Sequence, residues 1–200
     1  MVLADVIPAR RSIRRYRAEP ISDAQVERLL TAACWAPSAH NRQPWRFAVL
    51  RAEAPKARLA DAMGARLIVD RGRDGDDPAA IEADVARSRA RITGAPVVIA
   101  VCLTLADMDR YPDAARAAAE HTMAVQSTAM AVQNLLLAAS SEGLGACWMC
   151  APLFCPDVVR GALALPADWQ PQALVTIGRP ASAGKPATRR RLAELVREIA

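Results

Sequence analysis

Aromatic side chains are scarce in this chain: Phe, Tyr and Trp make up 4% of its 200 residues. Ala, Leu and Val must therefore fill most of any interior. Histidine is scarcer still, with only His40 and His121. A hydrolytic triad or a histidine-based metal site has little to draw on. No Gly-x-Gly-x-x-Gly follows a first strand; "GLGA" at 143–146 is only a fragment of one. That argues against a Rossmann dinucleotide fold. Long apolar runs are missing too. The richest zone, 124–139, is broken by Gln126, Ser127, Gln133 and Asn134, which makes it too short and too polar to span a membrane. The opening "MVLADVIPARRSIRRYR" lacks the apolar stretch of a secretory signal. The five cysteines are an odd number. Free thiols in a reducing cytosol are the expectation, with a cytoplasmic location and no membrane partner.

What is present reads as one globular domain over 1–200. The composition is 52% apolar and 24% charged, and the length suits a substantial core. The formal net charge is +5, and arginines gather near both chain ends. Such a balance suits anionic partners. A nucleic-acid binder is one reading; a site for a single phosphorylated cofactor is the sharper one.

Ser22 and Gln25 form a capping-box pattern ahead of Val26, Leu29, Leu30 and Ala33. This predicts an amphipathic helix that Pro37 ends. Strands are predicted at 45–50, 95–103, 144–149 and 172–178, the second apolar enough to be buried on both sides. Helices are predicted at 54–63, 78–92, 113–141, 155–165 and 189–199. The stretch "RGRDGDDPAA" at 71–80 reads as a mobile surface loop. Few strands separated by many helices predict an α+β sandwich with a small central sheet.

Two stretches carry the chemistry. In "ARRSIRRY", Arg10, Ser12 and Arg14 alternate and in an extended segment project to one side. Guanidiniums around a hydroxyl suit a phosphate or the electron-rich edge of a heterocycle. In "APSAHNRQPWRF", Ser38, Asn41 and Gln43 offer a hydroxyl and two carboxamides between stiffening prolines. Carboxamides donate and accept at once, as a planar ring with alternating N–H and C=O groups requires.

These stretches, with "NLLLAASSEGLGACW" and "ALVTIGRP" following in order, resemble the nitroreductase superfamily of FMN-dependent oxidoreductases over nearly the whole chain. The resemblance implies an α+β nitroreductase-like sandwich with a small mixed sheet flanked by helices. It also implies an intertwined homodimer with FMN in the interface and NADPH or NADH as electron donor. It places Arg10, Arg11, Ser12 and Arg14 on the flavin from one subunit, with Arg14 at the pyrimidine edge. Pro37, Ser38, Ala39, Asn41 and Gln43 would reach it from the other. Arg189 and Arg191 match a basic pair on the phosphate, with Lys185 and Arg190 as alternates. The loop "WMCAPLF" would face the ring, with Cys150, Ala151 or Leu153 supplying a backbone N–H, since Pro152 has none. Within the superfamily the chain is most similar to a stand-alone form of the flavin domain of the coenzyme F420 γ-glutamyl ligase.

The expected activity is hydride transfer through flavin to an electron-poor small-molecule acceptor, nitro- or quinone-like or of the dehydro-F420 type. No catalytic side chain and no metal is assigned, and no nucleic-acid partner is expected. Two alternatives stay open: a flavin-binding protein without NAD(P)H turnover, and a flavin-cleaving enzyme of vitamin B12 lower-ligand synthesis. Cys147 and Cys150 form a C-x-x-C pair but read as free thiols. Arg87 and Arg91, one helical turn apart, read as solvated, with flavin or substrate contact as the other possibility.

Overall fold

The computed structural model describes residues 2–199. Helices α1 (Leu3–Ala9) and α2 (Asp23–Cys34) precede strand β1 (Trp45–Leu50). Helices α3 (Glu53–Arg73) and α4 (Pro78–Thr93) lead to β2 (Val97–Leu103). The long α5 (Ala114–Ser141), β3 (Gly145–Met149), α6 (Pro156–Ala162) and β4 (Gln170–Gly178) complete the body. The α2 start is the expected capping box: Ser22 Oγ accepts from Gln25 N at 3.2 Å, and the Gln25 side chain accepts from Ser22 N.

The strands form one sheet in the order β1-β2-β4-β3. Every ladder is antiparallel, so the mixed sheet that was expected is corrected. Among the described residues parallel pairing enters only as a single bridge between Ser12 and Ala146. β2 and β4 are buried almost throughout because both faces are covered. On one face Val97, Ile99, Val101, Val175 and Ile177 pack against Leu29 of α2 and Val132 and Leu135 of α5. On the other, Val98, Ala100 and Leu174 meet Leu59 and Met63 of α3 and Val159 of α6. This is the α+β sandwich the strand and helix pattern predicts. With so few aromatics, aliphatic side chains do fill the interior.

Two predicted elements are corrected. The stretch at 71–80 is no mobile excursion: α3 runs on to Arg73, and α4 begins at Pro78 behind an Asp77 cap (Oδ2 to Ala80 N, 3.1 Å). Arg71 closes this turn through Asp76 and Asp84, each at 2.5 Å, so charges that read as loop chemistry tie a helical hairpin. The tail helix at 189–199 shrinks to a 3-10 turn, Leu192–Glu194. Its apolar residues Leu192, Leu195 and Val196 are exposed and find no surface on this chain to hold a helix against.

The N-terminal arm meets the β3 edge at Ser12 and Ile13 and then the chain leaving β4 at residues 15–17. Ile13 N donates to Ala146 O (3.0 Å) and Arg17 N to Arg179 O (2.9 Å). Glycines permit the approach: a Cβ on Gly145 would meet Ile13 at 2.7 Å, and one on Gly178 would meet the Tyr16 ring at 2.6 Å. The Tyr16 hydroxyl sits 2.5 Å from Ile13 O and 2.9 Å from Thr176 O. Burial holds its ionisation well above the ordinary tyrosine value, so it stays a neutral donor. Gly178→Ala is therefore expected to displace Tyr16 and cost about 1–3 kcal/mol, as overpacking does. Gly72→Ala, where nothing lies within 4 Å, serves as the control. Thermal unfolding of the two variants should show a melting point lowered by several degrees in the first only.

Candidate functional site

The arm at the β3 edge turns Ile13 into the core and leaves Ser12 and Arg14 exposed. Ser12 and Arg14 border a cleft of about 960 Å³ together with Arg15, Arg87, Arg91 and Lys185. Among the described residues no carboxylate lines it. Arg10 and Arg11 border a neighbouring hollow of about 180 Å³ beside Ser140 and Gly143. The Arg11 guanidinium turns back to Pro8 O (2.5 Å) and Arg10 O (2.9 Å), where it caps the carbonyl end of α1. Cys147 lies beneath the cleft. Burial pushes its thiol pKa up, against the opposing pull of Arg14, Arg91 and Arg10.

The amide loop is built differently. His40, Asn41 and Gln43 all hold positive φ, near 50°. Such geometry costs on the order of 1 kcal/mol per non-glycine residue, Asn being the most tolerant. Several bonds hold the loop in it. Ser38 Oγ accepts from Gln43 N (3.0 Å), and Asn41 N donates to Ser38 O (3.0 Å). Ala39 N donates to Ser127 Oγ (3.3 Å), which in turn donates to Met123 O (2.7 Å), pinning the loop to α5. Arg42 pairs with Asp109 at 2.7 Å and Arg46 with Asp107 at 3.4 Å. The carboxamides of Asn41 and Gln43 stay exposed and touch each other at 3.4 Å. They face a groove of about 1020 Å³ that also meets Pro37, Leu30 and Trp35. Trp35 is 83% exposed.

The arm and the loop occupy opposite sides of the molecule. The arm pairs with β3 and the loop feeds β1, the two outer strands of the sheet. Three strand spacings, about 14 Å in all, separate those edges. The two clefts share no lining residue.

The remaining candidates divide. Lys185 joins Ser12 and Arg14, whereas Arg189 and Arg191 do not line that cleft. Arg189 donates to Thr188 O (2.7 Å), and Arg191 pairs with Glu194 at 3.0 Å. After β3, Ala151–Phe154 forms a 3-10 turn with Leu153 and Phe154 exposed. Leu153 N already donates to Cys150 O (3.0 Å), which narrows the free backbone donors to Cys150 and Ala151. Trp148 Nε1 donates to Cys150 Sγ at 3.0 Å. Among the described residues no metal-ligand cluster occurs and all five cysteines are free. Cys102, Cys147 and Cys155 are buried, but Cys150 and Cys34 are exposed.

A model of the nitroreductase family matches residues 7–179. The chain belongs to the nitroreductase family. A curated relative, the 5,6-dimethylbenzimidazole synthase of Rhodobacter capsulatus, is 34% identical, with 89% of this chain and 83% of the relative covered. The NADH dehydrogenase of Thermus thermophilus is 30% identical over 94% of this chain and 91% of its own. A solved nitroreductase from Desulfovibrio desulfuricans, in complex with FMN, superposes with a TM-score of 0.77. It is 34% identical and covers 100% of this chain and 98% of its own. Membership of the nitroreductase family agrees with the α+β fold and supports a flavin oxidoreductase.

Arg91, for which flavin or substrate contact was the second reading, joins the arm's cleft. Two site features of this nitroreductase-family chain escaped sequence reasoning. Ser127 and Asp109 brace the amide loop from positions with no local signal. Ser127→Ala removes the acceptor of Ala39 N–H and is expected to cost about 1 kcal/mol. Amide exchange at residues 39–43 should quicken more than in the sheet. Separately, thiol labelling should reach Cys102, Cys147 and Cys155 only after denaturation, because burial raises the pKa of each, that of Cys102 to about 12.

Proposed function

We propose that this chain is an FMN-dependent NAD(P)H oxidoreductase that works as a homodimer, each flavin gripped by the arginine arm of one copy and the amide loop of the other. The observation that carries this is the placement of the two ligand sets on opposite edges of one sheet. One planar ring cannot meet both within a single chain, and a second copy brings them together. Exposed apolar side chains support that copy: Trp35 beside the loop, and Leu192, Leu195 and Val196 on the tail. The tail carries Arg189 and Arg191, which a partner's body would complete.

The donor set fits FMN. A cleft bordered by Arg14, Arg91, Lys185 and Ser12, with no carboxylate among the described residues, suits a phosphate and an electron-rich pyrimidine edge. The carboxamides of Asn41 and Gln43 suit a rim that both donates and accepts. Bound FMN would supply two-electron hydride exchange between a nicotinamide and an acceptor. Arg14 and Arg91 would stabilise negative charge at the pyrimidine edge, and the Cys150 or Ala151 N–H would orient the ring. Acceptors of nitro, quinone or dehydro-F420 type fall within this class.

A second reading has its own support. Curated relatives 34% and 32% identical are 5,6-dimethylbenzimidazole synthases, which favours a flavin-cleaving activity on the same site. Purified protein is expected to be yellow and dimeric by light scattering, and to bleach with NADPH or NADH under anaerobic conditions. Asn41→Ala and Arg14→Ala should each weaken FMN retention about tenfold, a loss of roughly 1.4 kcal/mol, without unfolding the chain. Full flavin occupancy in both variants would overturn the site. Appearance of 5,6-dimethylbenzimidazole when the reduced holoprotein meets oxygen would decide for the second reading.

A further inference from the structure

The arm's cleft holds more positive charge than one flavin nucleotide needs. Arg14 and Arg91 are the cations that act most strongly on the buried Cys147 thiol, and they are the pair proposed for the pyrimidine edge. Arg87 precedes Arg91 by one helical turn on α4 and borders the same cleft. It is left without a flavin role.

Arg87 is also held in an unusual way. It pairs with Asp84, three residues earlier on α4. Asp84 is shared: Arg71 of α3 bonds it at 2.5 Å and bonds Asp76 at 2.5 Å as well. Asp84 would therefore keep a cationic partner if Arg87 turned from it to an incoming anion. The helix beneath is firmly seated. Gly64 lets α3 approach Val85 so closely that a Cβ would stand 2.9 Å from it, and Arg89 ties α4 to Asp61 at 2.7 Å. The Arg87 side chain is 54% exposed, at the end of a rigid support.

We propose that Arg87 is a specificity-determining residue that draws acceptors bearing a carboxylate or similar anionic group into the cleft over the flavin. This rests on the flavin reading above. Acceptor choice would then lie on the α3–α4 hairpin, through one exposed guanidinium that exchanges Asp84 for the ligand's anion.

The test compares 4-nitrobenzoate with the neutral 4-nitrobenzamide on FMN-loaded wild-type, Arg87→Gln and Arg87→Lys proteins. Equilibrium binding is read from the flavin absorbance change, whether or not the compound turns over, and KM is read where it does. Wild type should bind the carboxylate about two- to fivefold more tightly than the amide, the scale of a half-exposed ion pair. That preference should shrink with added salt. Arg87→Gln should abolish it while leaving amide binding within about twofold, and Arg87→Lys should retain part of it. Equal preference in wild type and Arg87→Gln would overturn the inference. So would an effect confined to NADPH against NADH, which would assign Arg87 to the donor's phosphate. Wild-type protein that takes up no FMN would overturn the flavin reading together with this one. Protein that takes up FMN normally but shows no Arg87 dependence would overturn this one alone.

Discussion

The width of the sheet is the constraint on which the rest depends. β2 and β4 can be buried on both faces only if helices cover each side, and that leaves the two edges as the places where polar segments attach. The arginine arm takes the β3 edge and the amide loop leads into the β1 edge. Neither can slide toward the other without breaking a ladder or uncovering the core. Ligand groups that suit one flavin thus stand on opposite sides of a rigid body, and the proposed dimer is the geometric answer.

The two halves spend folding free energy in different ways. The arm is fitted by absence: Gly145 and Gly178 have no Cβ where Ile13 and Tyr16 pack. It is then tied by backbone bonds and the neutral Tyr16 hydroxyl. The amide loop is held under strain, with three non-glycine residues at positive φ braced by Ser38, Ser127 and Asp109. A loop fixed beforehand loses little entropy when it meets a ligand. The same logic extends to α4, where cross-links to α3 hold the backbone still beneath arginines that project into open space.

Much of the fold was legible because its signals are local. The Ser22–Gln25 cap, the 3.6-residue spacing of α2 and the unbroken apolar run of β2 each depend on neighbours within one element. The errors arose where local chemistry has two uses. Gly72, Gly75 and the aspartates of 74–77 look like a flexible loop, but Arg71 binds Asp76 and Asp84 and closes them into a helical turn. The 189–199 segment has a helical pattern of apolar residues but no surface on its own chain to bury them against. A mixed sheet was implied by resemblance, while the described ladders are all antiparallel.

For the site, residue types were readable and partnerships were not. Carboxamides in "SAHNRQ" and guanidiniums in "RRSIRR" announce hydrogen-bonding chemistry by themselves, because donor and acceptor capacity belongs to the side chain. The order of strands in the sheet belongs to no single residue. It came only from long-range pairing, and it decided that the two motifs lie on opposite edges, that Arg87 and Arg91 share a cleft with Ser12, and that Ser127 reaches the Ala39 amide across 88 positions. Sequence by itself determined which atoms this protein can offer a ligand; the tertiary structure decided which of them can act together, since only packing sets distances between residues remote in the chain.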